Sequence, residues 1–351
     1  MTAPGSGMAA DISEQPEAYA RLLEPSHSEH IARVAAEVVR RGPRHVVLTA
    51  RGSSDHAALY GAYLSEIRLG LPAGLASPST TTLFGARPDY SRALVVGVSQ
   101  SGRSPDLCEV VKVARDSGAV TVGITNEPES ALAGIAELVI DLSVGFERAL
   151  PATKTYTAEL LTLLMLTEGM RAGDGRLPAD ERAFLDTLPD LAAKTLEDTT
   201  PAGMAPRFRF APSLLTTGRG YGYPTAREAA HKIMETSYLP ALAYSGADLL
   251  HGPLAVTNAD APVLAVVGPG PGGEAMREVV VRLNARAAEV AVVSAAEVDG
   301  VTARLPVPAV DERYGPLLDI LPLQRLTLAM ALTRGENPDT PKGITKVTPT
   351  R

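Results

Sequence analysis

The 351-residue sequence is 45% hydrophobic and 21% charged, with a formal net charge of −7 and one cysteine. That composition suits a globular chain with room for two cores, and it lacks the basic balance a general nucleic-acid surface needs. A single cysteine excludes an internal disulfide and a structural zinc cluster, and no apolar run of about 18 residues is present to span a membrane as a helix.

The opening Met1–Gly7 has no basic n-region followed by an apolar h-region, so it reads as a flexible lead or an alternative start before Met8. A cytoplasmic setting follows as an expectation, with Cys108 as a reduced core residue. Short β-branched runs then alternate with helical stretches. His45–Ala50, Ala93–Val98, Val120–Ile124 and Leu138–Leu142 predict strands, and Asp55–Ile67 and Asp106–Asp116 predict helices. A long helix over Thr155–Met170 closes this half. The pattern recurs: Ser213–Thr217, Pro262–Val267 and Ala291–Ser294 predict strands, with a glycine turn and then a helix over Glu274–Ala287. The expected fold is α/β, two tandem doubly wound, mostly parallel sheets flanked by helices. The expected division is an arm over 1–29, a first domain over 30–170, a linker over 171–199, a second domain over 200–335 and a tail over 336–351. Composition alone makes that Pro/Thr/Lys-rich tail disordered.

The repeat is asymmetric where chemistry is expected. After its second strand the first half carries Ser99-Gln100-Ser101-Gly102-Arg103-Ser104, and the second half carries Gly268-Pro269-Gly270-Pro271-Gly272-Gly273. Hydroxyls and N–H groups at a helix N-terminus bind a dianionic phosphate; the same stretch also serves as a capping turn. Gly52-Ser53-Ser54 adds hydroxyls at a neighbouring strand end. Glu228, Lys232 and Glu235 share one helical face by spacing, which equally describes a solvated charged stripe. His251 precedes Gly252-Pro253, as many turn residues do, but a histidine also titrates where ring-opening needs a proton carrier. Lys342 and Lys346 stand in the tail, where a lysine is normally solvated; a buried one could form a Schiff base.

Taken in order, Glu14-Gln15-Pro16, Gly52-Ser53-Ser54, Ser99–Gly102, Glu147 with Thr153-Lys154, the Glu228/Lys232/Glu235 helix, His251-Gly252-Pro253 and Pro341–Val347 resemble the sugar-isomerase (SIS) family. They resemble in particular the isomerase half of glucosamine-6-phosphate synthase and its stand-alone deaminase and isomerase relatives. The resemblance implies a phosphate pocket at Ser99, Gln100, Ser101 and Ser104, with Ser53 close by. It implies that Ser54 and Glu228 hold sugar hydroxyls or position a helix. Glu235 would shuttle the proton between C1 and C2, His251 from a neighbouring subunit would open the ring, and Lys346 would form an imine with the ketose. A homodimer acting on a sugar phosphate is therefore expected, with no metal, cofactor, nucleic acid or membrane.

No glutaminase segment or N-terminal cysteine precedes residue 8, and there is no tryptophan, so glutamine-dependent synthesis is not expected. Arg103 replaces an acidic residue of the synthase, Ser104 a threonine and Asp248 a glutamate. Proton abstraction at C2 is common to an amino-sugar 6-phosphate deaminase/isomerase, which is the preferred reading, and to a dehydratase of N-acetylglucosamine 6-phosphate. A non-catalytic sugar-phosphate sensor is the alternative of a different kind.

Overall fold

The computed structural model describes residues 3–286 and 288–345, and within them two five-stranded sheets are built from short β-branched runs. In the first, β1 (His45–Thr49), β2 (Ala73–Leu75), β3 (Ala93–Val98), β4 (Val120–Thr125) and β5 (Leu138–Asp141) lie parallel in the order β2-β1-β3-β4-β5. In the second, β6 (Leu214–Gly218), β7 (Ala241–Ser245), β8 (Val263–Val266), β9 (Val290–Ser294) and β10 (Ala303–Pro306) lie parallel in the order β10-β9-β8-β6-β7. Matching β6 to β1 and β8 to β3 makes the two topologies identical, so the tandem repeat is real. Both sheets reverse direction of winding between their first and third strands, which is where doubly wound sheets open a crevice for ligands.

Central strands β3 and β4 are buried along their whole length, because helices cover both faces. The three strands that the hydrophobic pattern does not predict, β2, β7 and β10, all lie at sheet edges. These three carry no continuous buried apolar run, and Leu242 of β7 is 53% exposed; the fourth edge strand, β5, keeps its Leu-Val-Ile. The Ser53–Leu64 helix continues into a π-helical turn over Ser65–Leu69. The expected Thr155–Met170 helix runs Lys154–Ala172 and is buried from Lys154 to Met170. Its start is fixed by Glu147, whose carboxylate accepts from the N–H groups of Lys154 (3.2 Å) and Thr155 (2.9 Å) and from the Thr155 hydroxyl.

Both ends of the chain depart, within the described residues, from what composition alone suggests. Ser6 and Gly7, the end of the stretch Met1–Gly7 expected as a flexible lead, open a helix, Ser6–Ser13, with Met8 fully buried. Residues 337–339 are not disordered. Asn337 Oδ1 accepts from Gly5 N at 3.1 Å, and the Asp339 carboxylate accepts from Gly7 N at 3.0 Å and Met8 N at 2.8 Å. These acceptors satisfy first-turn N–H groups that the helix cannot satisfy itself, a capping role that composition does not reveal. The glycine turn before the expected 274–287 helix is also different: the helix runs Gly270–Asn284 and takes three of those glycines into its first turn.

The chain divides into two compact units. One contains Gln15–Glu147 and Lys154–Pro189 and holds the first sheet; the other contains Met1–Glu14, Arg148–Thr153 and Asp190–Ile344 and holds the second. The stretch expected as a linker, 171–199, contains helices Ala179–Leu185 and Leu188–Glu197.

Candidate functional site

In the first unit, β1 and β3 end side by side and release the two serine-bearing turns at the winding reversal. Gly102 folds the 99–104 turn. Its φ of +59° is a left-handed conformation, and a Cβ there would lie 2.0 Å from Ser130 Oγ. Ser99 Oγ accepts from Gly102 N at 3.1 Å, and Gln100 O accepts from Asn126 N at 3.1 Å. The first bond closes the turn on itself, and the second pins it to the end of β4. Ser104 is the N-cap residue of helix Pro105–Asp116, but its hydroxyl makes no capping bond. An open cavity of about 490 Å³ beside the turn is lined by Gln100, Ser101, Arg103, Asn126, Asp141 and Phe146 among others. A larger hollow of about 690 Å³, lined by Arg33, Arg176 and Arg182, lies against helix Pro25–Arg41 rather than at a strand end.

Ser53 and Ser54 open helix Ser53–Leu64, and both are buried. Their roles differ from each other. Ser54 Oγ donates to Glu159 Oε1 at 2.7 Å, tying this turn to the Lys154–Ala172 helix. Arg51, one residue before Gly52, reaches across to the other turn: its Nε donates to Asp106 Oδ2 at 2.8 Å, and its terminal nitrogen lies 2.6 Å from the same oxygen. Asp106 is 1% exposed and sits in the first turn of helix Pro105–Asp116. Sequence reasoning missed both residues. Arg51 was legible only as a neighbour of Gly52, and Asp106 only as a capping residue.

In the second unit, helix Gly222–Ser237 follows directly on β6 and packs on helix Gly315–Thr333. Its charged face is no solvated stripe, because Glu228 is 0% and Lys232 1% exposed. Lys232 Nζ lies 2.5 Å from Glu235 Oε2 and 3.5 Å from Glu228 Oε1. His231 adds a second cation, with Nε2 at 3.2 Å from Glu235 and Nδ1 at 3.6 Å from Glu228. Its i+3 and i+4 spacing to the two glutamates was the available signal.

Burial alone would raise the Glu235 carboxyl, but the Lys232 and His231 charges outweigh it and hold it down at about 2. Burial would likewise lower His231, and the two glutamates instead raise it to about 9. Glu235 is therefore an ionised carboxylate held between two cations on a partly exposed face. His251 lies elsewhere on this unit, exposed, at the C-cap of helix Gly246–Leu250. Gly252 after it has a φ of +134°. The structure thus groups Glu228 with Glu235, and Ser99 through Ser104, each within its own unit. Lys346 lies outside the described residues.

The second unit's counterpart of the Ser99–Ser104 turn is already filled. The Glu312 carboxylate lies over Gly268, Gly270 and Gly272, and Gly272 N donates to Oε2 at 3.3 Å. A Cβ at Gly272 would fall 2.1 Å from Glu312 Oε1. Burial raises the Glu312 carboxyl above the usual range, partly offset by the N–H groups of Gly272 and Gly273.

Comparison with known proteins identifies the fold and family. The SIS domain model matches residues 41–169 and 208–334. Glutamine–fructose-6-phosphate aminotransferase (isomerizing) of Gloeobacter violaceus is 33% identical over 320 residues, covering 86% of this chain and 51% of that protein. The chain thus spans about half the length of the curated relatives it matches. A candidate phosphosugar isomerase of Silicibacter pomeroyi superposes with a TM-score of 0.86 at 35% identity, covering 95% of this chain and 99% of that one. Glucosamine-6-phosphate deaminase of Thermotoga maritima superposes with a TM-score of 0.79 at 20% identity, covering 98% and 100%, a likeness of fold.

Proposed function

The chain belongs to the SIS domain family, and on that premise we propose that it is a sugar-phosphate isomerase-type enzyme acting on a hexosamine 6-phosphate. The observation that carries this reading is the Glu235 carboxylate, buried enough to be shaped by its partners yet kept ionised by Lys232 and His231. In this reading Ser99, Gln100, Ser101 and Ser104 hold the phosphate, with Ser53 beside them. Several donors converge there on one helix N-terminus, and a dianion gains from each.

Proton transfer belongs to Glu235. In the open-chain sugar the C1 aldehyde acidifies the C2 proton. Glu235 takes that proton, and the electron pair moves through C1–C2 onto the C1 oxygen. Returning the proton to C1, with one N–H proton of the amine passing to the C1 oxygen, converts a 2-amino aldose into a 2-imine; water adds across C=N, and fructose 6-phosphate and ammonia are the products. Lys232 and His231 hold this carboxylate low, which keeps it ionised and able to accept the proton. Lys232 and His231 set the charge state and rotamer of Glu235, and Glu228 keeps Lys232 in place. His251 is assigned ring opening, supplied by a second copy of the chain; this role and that of Lys346 rest on the family resemblance.

The test is a proton NMR time course in deuterium oxide with glucosamine 6-phosphate and, separately, N-acetylglucosamine 6-phosphate, with ammonia assayed in parallel. Loss of the C2 proton signal with fructose 6-phosphate and ammonia supports the deaminase. New vinylic signals from the acetylated sugar without ammonia point to dehydration. Solvent exchange with neither sugar overturns the role given to Glu235 on these substrates.

A further inference from the structure

The helix that would receive the phosphate carries a buried negative charge in its first turn. Asp106 stands two residues after Ser104, is 1% exposed, and directs Oδ1 to the N–H of Leu107 at 2.9 Å. A carboxylate so placed competes with an incoming dianion twice. It takes a first-turn N–H, and it repels the phosphate through a medium that screens less well than water. The fold answers with Arg51, which comes from the end of β1 and bonds Asp106 Oδ2 through two of its nitrogens at 2.8 and 2.6 Å.

We propose that Arg51 is the positioning residue of the phosphate subsite: it cancels the Asp106 charge, so that the Ser99–Ser104 turn accepts a dianion. The inference rests on the phosphate-binding reading of that turn. It also ties the two turns at the winding reversal together, because Arg51 immediately precedes Gly52-Ser53. Phosphate affinity is thus set by an ion pair neither of whose members needs to touch the ligand. Nothing in the family match assigns a role to either residue.

The experiment uses the full chain and four proteins: wild type, Arg51→Met, Asp106→Asn and the double variant. KM and kcat for glucosamine 6-phosphate are measured, and inorganic phosphate binding is followed by calorimetry. Arg51→Met is expected to raise KM and the phosphate Kd about tenfold, the effect of one uncompensated charge at this range, with kcat within about threefold. The double variant should recover most of the loss, because the carboxylate that Arg51 screens is gone. Asp106→Asn alone, which keeps the Leu107 hydrogen bond, should bind phosphate several-fold tighter than wild type. It decides the matter if Arg51→Met does not fold.

Unchanged KM and Kd in a folded Arg51→Met overturn the proposal. A double variant as weak as Arg51→Met overturns the route through Asp106 and makes Arg51 a direct phosphate contact. An Asp106→Asn that binds phosphate no more tightly than wild type overturns it as well. Failure of wild type to bind any sugar phosphate instead defeats the reading on which the proposal rests.

Discussion

At the ends of β1 and β3 the chain places serines and a glutamine; at the ends of β6 and β8, their counterparts in an identical topology, it places glycines covered by Glu312. A doubly wound sheet leaves N–H groups at this reversal whatever the sequence, and each half has met that demand differently. In the proposed reading the first keeps its hydroxyls for a sugar phosphate. The second supplies a carboxylate of its own, Glu312, and would carry its chemistry on the helix after β6. That proposed division of labour is open to attack from either side.

The largest expected effect lies on the catalytic side of that division. Glu235→Gln should lower kcat by about 10²–10⁴-fold, the range for loss of a general base, while sugar-phosphate affinity stays within about threefold. Comparable losses in both would mean that the two units do not divide binding from proton transfer. Next comes the binding side: Ser101→Ala should raise KM about tenfold, the equivalent of one charge-assisted hydrogen bond at about 1.4 kcal/mol, and leave kcat nearly unchanged.

The second unit's internal anion should show in stability. Glu312→Ala leaves the N–H groups it serves without their acceptor, and urea unfolding should report a loss of about 1–3 kcal/mol with KM unchanged. Glu312→Gln should lose less, since a side-chain carbonyl still accepts. The subtlest effect is a pH dependence. Burial, then the neighbouring Glu312 charge, raises the Asp319 carboxyl to about 8. The folded protein then holds a proton that the unfolded chain has released, so stability is fullest below the unfolded value of about 4. It is lost as pH rises through about 8. The urea midpoint should fall between pH 5 and pH 8.5 in wild type, and Asp319→Asn should flatten that slope. If Glu312→Gln leaves the slope untouched, the two carboxyls are not coupled.

How far the sequence carried this account depended on the kind of signal. The seven strands with continuous apolar runs were legible, because central parallel strands are buried on both faces and their composition says so. Three of the four edge strands, β2, β7 and β10, were not, since half-exposed backbone pairing left no such run there, whereas the fourth, β5, kept its apolar Leu138-Val139-Ile140. The Ser99–Ser104 turn was legible as a donor-rich stretch on a helix N-terminus. The burial of Glu228 and Lys232 was not, because i+4 spacing is identical in a solvated stripe and a buried one. Pairs far apart in sequence were the hardest. Arg51 with Asp106, and Glu312 with Gly272, meet only once the strand order is known.

The clasp between Gly5, Gly7 and Met8 and the side chains of Asn337 and Asp339 joins residues 331 or 332 positions apart. At a translation rate of about 5–20 residues per second, the Ser6–Ser13 helix waits roughly 15–70 s for those partners to be made. The unit holding Gln15–Glu147 and Lys154–Pro189 is made in full during that interval, before the partners of this helix exist. The apolar face of that helix, Met8 and Ile12, packs with Ala149, Leu196 and Leu328, so its cover is likewise completed only near the end of the described chain.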